Sequence, residues 1–111
     1  MLFYFVVGHF LADYPLQNDY LARSKNHKAP EGNGVWYMTL PAHGFIHGGF
    51  VAVITGSVIL GLAETILHSL IDYFKCDGKL SYQADQFLHL VYKVVWAFIA
   101  VEFAQRGIPL P

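Results

Sequence analysis

One cysteine, Cys76, is the only thiol in this chain, so no disulfide can form within it and no thiolate cluster can bind a metal. Charge is also scarce. Asp, Glu, Lys and Arg together make up 14% of the residues, against about 25% in ordinary soluble domains. A surface built from so little charge is poorly suited to water. The net charge of −1 leaves no basic excess, which argues against a nucleic-acid-binding protein. At 111 residues the chain has room for one domain, residues 1–111.

What is abundant is apolar and aromatic residues, 55% and 16% of the chain, and histidine, with six. Five of those histidines fall in apolar segments rather than in loops. Glu64, His68 and Asp72 sit at i, i+4 and i+8, so on a helix they form one polar stripe. The same kind of stripe recurs as His9/Asp13/Gln17, as His43/His47, and as Asp85/His89/Lys93.

The hydrophobic pattern places these stripes on helices. Residues 2 to about 20 read as a first helical segment, with Pro15 as a kink or a new turn. Its apolar run is broken by His9 and Asp13 and preceded by no basic region, which reads as a first helix rather than a signal peptide. Residues 21–40 are the one long polar stretch and read as a basic loop. Trp36 and Tyr37 are expected as interfacial aromatics, and Pro41 in the first turn of the next helix. Residues 41–75 are nearly all apolar. A turn near residues 57–61 divides them into two helices of roughly 16 residues, short for a membrane span. Gly44, Gly48, Ala52 and Gly56 recur every four residues, a ridge that lets a neighbouring backbone approach closely. Residues 82 to about 103 form the last helix.

These features predict an all-α fold, a transmembrane four-helix bundle with short second and third helices. Arg23, Lys25 and Lys28 lie in one connection and Lys75 and Lys79 in another. The positive-inside bias therefore puts both basic loops in the cytoplasm and both termini outside it. Antiparallel helices then stack the stripes in three layers about 6 Å apart. Gln17, His43, Asp72 and Asp85 form the outermost, Asp13, His47, His68 and His89 the middle, and His9, Glu64 and Lys93 the innermost.

Ionisable groups in apolar helices cost several kcal/mol unless paired or wetted, which makes them functional candidates. Four helices with matching spacing point to a divalent transition metal held by some of His9, Asp13, His43, His47, His68, Asp72, Asp85 and His89. Eight groups exceed the four ligands of one zinc, so they serve two ions, or one ion and an outer shell. Imidazole and carboxylate without thiolate suit zinc first, with iron or manganese as alternatives. The bland reading is a buried polar network without metal. Glu64 and Lys93 are expected to pair, and the alternative makes Glu64, or Asp13, the base for a metal-activated water. Gln17 and Gln86 suit hydrogen bonding or helix-end solvation; His27 reads as a surface residue and Cys76 has no assigned role.

The ordered set Gly8–Gln17, His43-Gly44-Phe45-Ile46-His47-Gly48, His68-Ser69-Leu70-Ile71-Asp72 and Asp85-Gln86-Phe87-Leu88-His89 resembles domain-of-unknown-function family 3307 over nearly the whole chain. The family comprises small integral-membrane proteins of bacteria and their phages. The resemblance implies a bacterial inner-membrane location and a metal-type constellation. A more distant analogy is to membrane-bound metal-dependent hydrolases. The expected function is a metal-dependent hydrolase acting on a lipid-linked or membrane-associated substrate. The bilayer is the expected partner, and a homodimer would complete the short helices. Two alternatives remain at this level. One is a non-enzymatic ion-binding or transport protein. The other is a di-iron carboxylate-histidine redox protein, which the i, i+4 spacing counts against because such proteins use i, i+3 pairs.

Overall fold

The computed structural model describes residues 1–28 and 34–111. Among the described residues the chain is all-helical, with no strand. The helices are α1 (Leu2–Asp13), α2 (Asp19–Ser24), α3 (Trp36–Thr55), α4 (Val58–Cys76) and α5 (Tyr82–Gln105). The molecule is elongated, 50 × 23 × 21 Å.

Local chemistry sets most of the boundaries. Asn18, Ser57 and Ser81 cap α2, α4 and α5, each accepting a bond from the backbone N–H three residues on. Gly56 ends α3 in the left-handed region (φ 75°), where a side chain would be strained. The reversal therefore occupies residues 56–57, earlier than the expected turn.

The second and third apolar helices are not short. α3 and α4 contain 20 and 19 residues, and the short helix is α1, with 12. Pro41 lies inside α3 rather than in its first turn. The helix begins upstream of it, where Trp36 packs against Tyr73 of α4 and against His27. Tertiary packing thus extends the helix beyond the point that local preference marks. The first segment, in turn, stops at Asp13. Residues 14–17 turn, and α2 occupies part of the expected loop.

α3 and α4 form the closest pair. A Cβ on Gly61 would lie 2.7 Å from the Gly48 carbonyl oxygen, and one on Gly44 would lie 2.9 Å from that of Thr65. Neither distance is tolerable for a side chain, so the small-residue ridge is a backbone-to-backbone contact. Gly56 is not part of it; that residue serves the cap.

The distribution of polarity is inverted. Among the described residues, thirteen buried polar or charged residues outnumber eight buried hydrophobic ones. Large apolar side chains lie outside, with Val53 84% exposed, Phe3 71% and Phe98 65%. α3 and α5 are long and apolar enough to cross a membrane. At 1.5 Å per residue, α1 extends only roughly 18 Å, too little for a hydrocarbon core of about 30 Å.

Candidate metal centre

The inward stripes meet. α1 delivers His9 and Asp13, α3 His43 and His47, α4 Glu64, His68 and Asp72, and α5 Asp85, His89 and Lys93. All are buried except Asp13, whose side chain keeps 12% of its surface exposed. The imidazoles lie against one another: His47 and His68 stack at 3.6 Å, His68 and His89 at 4.0 Å, and His43 meets His47 at 4.7 Å.

Two groups have donor atoms close enough to hold a cation. Asp13, His43, His47 and His68 each offer one atom within 4.8 Å of the others, and so do His68, Asp72 and His89. His9 and Asp85 stand outside both groups. In the first group the Asp13 Oδ1 lies 2.8 Å from His47 Nε2 and 3.3 Å from His43 Nε2. Ligands of a tetrahedral zinc, bound at about 2.1 Å, are spaced by roughly 3.4 Å. Three imidazoles and one carboxylate therefore match such an ion in donor type and number, and the Asp13–His43 separation is close to its ligand spacing.

Hydrogen bonding prepares these donors. His68 Nδ1 donates to Glu64 Oε1 at 3.3 Å, which leaves its buried Nε2 as a lone pair with no hydrogen-bond partner. His43 Nε2 is likewise buried and unpartnered. Orphaned ring nitrogens turned into a polar cluster carry a desolvation cost that a cation would remove. Glu64 is itself fixed. Lys93 forms an ion pair with it, as expected, and the Trp96 indole N–H donates to its Oε2 at 2.6 Å. Both of its oxygens are thus occupied at the base of the cluster.

The acids differ in their counter-charges. Lys25 Nζ lies 2.9 Å from Asp72, Lys75 Nζ lies 3.3 Å from Asp85, and Lys93 holds Glu64. Asp13 has no lysine among the described residues. Its neighbours are His9, His43 and His47, and Gln86, whose side-chain amide donates to Oδ2 at 3.1 Å. His9 Nε2 donates to the Gln86 carbonyl oxygen at 3.0 Å, so His9 and Gln86 together orient Asp13. A cleft of about 90 Å³ opens beside this residue, lined in part by Tyr14, Gln17, Lys25, Lys75 and Gln86.

Three residues act differently from their sequence-based reading, and Gln86 takes one of its two readings. Lys25, expected in a solvated loop, is buried on Asp72. Of its two readings Gln86 takes hydrogen bonding, to Asp13 and His9. Trp96, which like the other Trp and Tyr residues reads from sequence as an interface anchor, is a buried donor. His27 is no bare surface group: its ring stacks on Tyr73 at 3.9 Å, and Nε2 lies 2.8 Å from Asp77 Oδ1. The bond from His27, aided by Lys28, pulls the Asp77 carboxyl down to about 2. Two lysines counted toward orientation, Lys25 and Lys75, are thus partners of cluster carboxylates.

A family model described as "Protein of unknown function (DUF3307)" matches residues 1–106. The chain belongs to this DUF3307 family. No curated protein and no solved structure shows a match to it. All four stripes of the DUF3307 chain fall within the matched region.

Proposed function

We propose that this DUF3307 protein is an integral membrane protein that binds one divalent transition metal through Asp13, His43, His47 and His68, with zinc as the first candidate. The observation that carries the reading is the charge pattern. Among the described residues Asp13 is the one acid of the cluster without a lysine, and it is grouped with His43, His47 and His68, of which His43 and His68 have an unpartnered Nε2. The membrane reading is supported by the apolar exterior and by the composition of α3 and α5. A largely buried carboxylate without a lysine needs a compensating charge in such surroundings.

The same arrangement supports a hydrolase acting on a lipid-linked or membrane-associated substrate. The ion would supply the Lewis acidity that makes water nucleophilic near neutral pH. Asp13 would hold the ion at the wall of the cleft, where solvent and substrate enter. Glu64, engaged by Lys93 and Trp96, would fix the ring of His68 instead of taking a proton itself. Transport is less well supported. Below Trp96 the core is filled by Phe5, Val51 and Leu60, so the polar groups end part-way along the bundle.

Purified wild-type protein should contain about one zinc per chain by elemental analysis, and the His47→Ala/His68→Ala double variant almost none. Zinc-loaded protein in vesicles of bacterial lipid extract should release head-group or acyl products visible by mass spectrometry, and the double variant should not. A folded wild-type protein that takes up no transition metal removes the proposal. Metal without products removes only the hydrolase part.

A further inference from the structure

The second group of donors, His68, Asp72 and His89, invites a second ion, and Lys25 stands where it would be needed. We infer that the Lys25 ammonium is a built-in cation that takes the place of a second metal and keeps the centre mononuclear. The inference rests on the metal reading of the Asp13 group.

Three observations carry it. Lys25 comes from the far side of the chain, 47 residues from Asp72, yet it is buried with its Nζ 2.9 Å from Asp72 Oδ2. A surface lysine gains little from such a bond, whereas one withdrawn from solvent must be matched to a fixed anion. Second, Asp72 is the shared edge of the cluster. Its Oδ2 also lies 3.5 Å from His68 Nε2 and 3.6 Å from His43 Nε2, and its Oδ1 lies 3.2 Å from His89 Nε2. The ammonium therefore sits against the oxygen nearest the first group's ligands, and another cation beside Asp72 would meet its charge directly. Third, His68 cannot serve two ions. Its Nδ1 is spent on Glu64, and its single free nitrogen belongs to the first group.

Without the ammonium the balance changes. His89 Nε2 lies between Asp72 Oδ1, at 3.2 Å, and Asp85 Oδ1, at 3.1 Å. These two carboxylates and one imidazole form a three-donor set for a divalent ion. Lys75, the counter-charge of Asp85, is one-third exposed and free to turn toward solvent.

The test is cobalt stoichiometry in the full-length, detergent-solubilised protein. It is read by elemental analysis after gel filtration, and by the magnetic coupling of paired ions in electron paramagnetic resonance. Wild type should saturate at one cobalt per chain even in tenfold excess, with no coupled signal. Lys25→Met should bind two and show coupling. Lys25→Arg, which keeps the charge, should stay at one, and Lys25→Met/Asp72→Asn should return to one. A wild-type protein that takes two ions, or a Lys25→Met variant that stays at one, overturns the inference and leaves the metal reading standing. Should Lys25→Met not fold, Lys25→Gln, neutral and polar, takes its place with the same expectation of two coupled ions. Wild type and Lys25→Met both without cobalt would overturn the metal reading and this inference together. Wild type without cobalt and Lys25→Met with one would likewise overturn both, since no mononuclear centre would then exist for Lys25 to protect.

Discussion

Single side chains decide the electrostatics of this interior. Glu64 and Lys93 are each about 98–99% withdrawn from solvent and neutralise each other at the base of the cluster. Removing one partner of a buried pair strands the other charge and typically costs about 3–5 kcal/mol. Lys93→Met should therefore lower the thermal unfolding midpoint sharply. Glu64→Gln/Lys93→Met should recover part of the loss, since neither residue is then charged. A Lys93→Met protein as stable as wild type would contradict the pairing. At this scale the sequence was readable wherever a residue could be judged by its position on a helix. Glu64 and Lys93 fall one turn inward from their neighbours, so their meeting followed from helical rise alone. Lys25 and Gln86 were not readable in this way. A lysine in a polar segment has no period to say that it folds inward, and a neutral amide beside a carboxylate looks the same whether it faces a ligand or water.

Helices bring these residues to one height, and the contact between α3 and α4 is the tightest link. The close approach at Gly48 and Gly61 stacks His47 on His68. Gly48→Leu should force the helices apart, at about 1–3 kcal/mol for an overpacked site, and should reduce zinc content together with stability. Gly49→Ala, where nothing lies within 4 Å of the added carbon, should change neither. Unfolding curves and zinc analysis of both variants test the claim, which fails if Gly48→Leu keeps its metal. The glycine ridge was legible because its four-residue period matches the helix. The start of α3 was not. Pro41 is a strong local signal for a first turn, and only the distant partner Tyr73 explains the upstream turn at Trp36. The ends of α4 and α5, marked by Ser57 and Ser81, agree with simple capping chemistry.

The whole molecule presents an apolar exterior around a polar centre, and that arrangement makes its own prediction. With Cys76 replaced by Ser, a cysteine introduced at Val53 should resist a water-soluble maleimide in permeabilised membranes. One introduced at Lys79, in the polar turn after α4, should react quickly. Equal labelling would argue against a bilayer around α3. The gathering of the histidines was legible from spacing, but which of them share a cation position was not, because register between helices depends on packing that no single segment encodes. One consequence concerns assembly. His43, His47 and His68 all belong to the hairpin of α3 and α4, and Asp13 alone arrives from elsewhere, on the shortest apolar helix. On the proposed metal reading, the tightness of ion binding is therefore a gauge of how firmly α1 is docked, and loosening that helix should release the ion long before the hairpin itself comes apart.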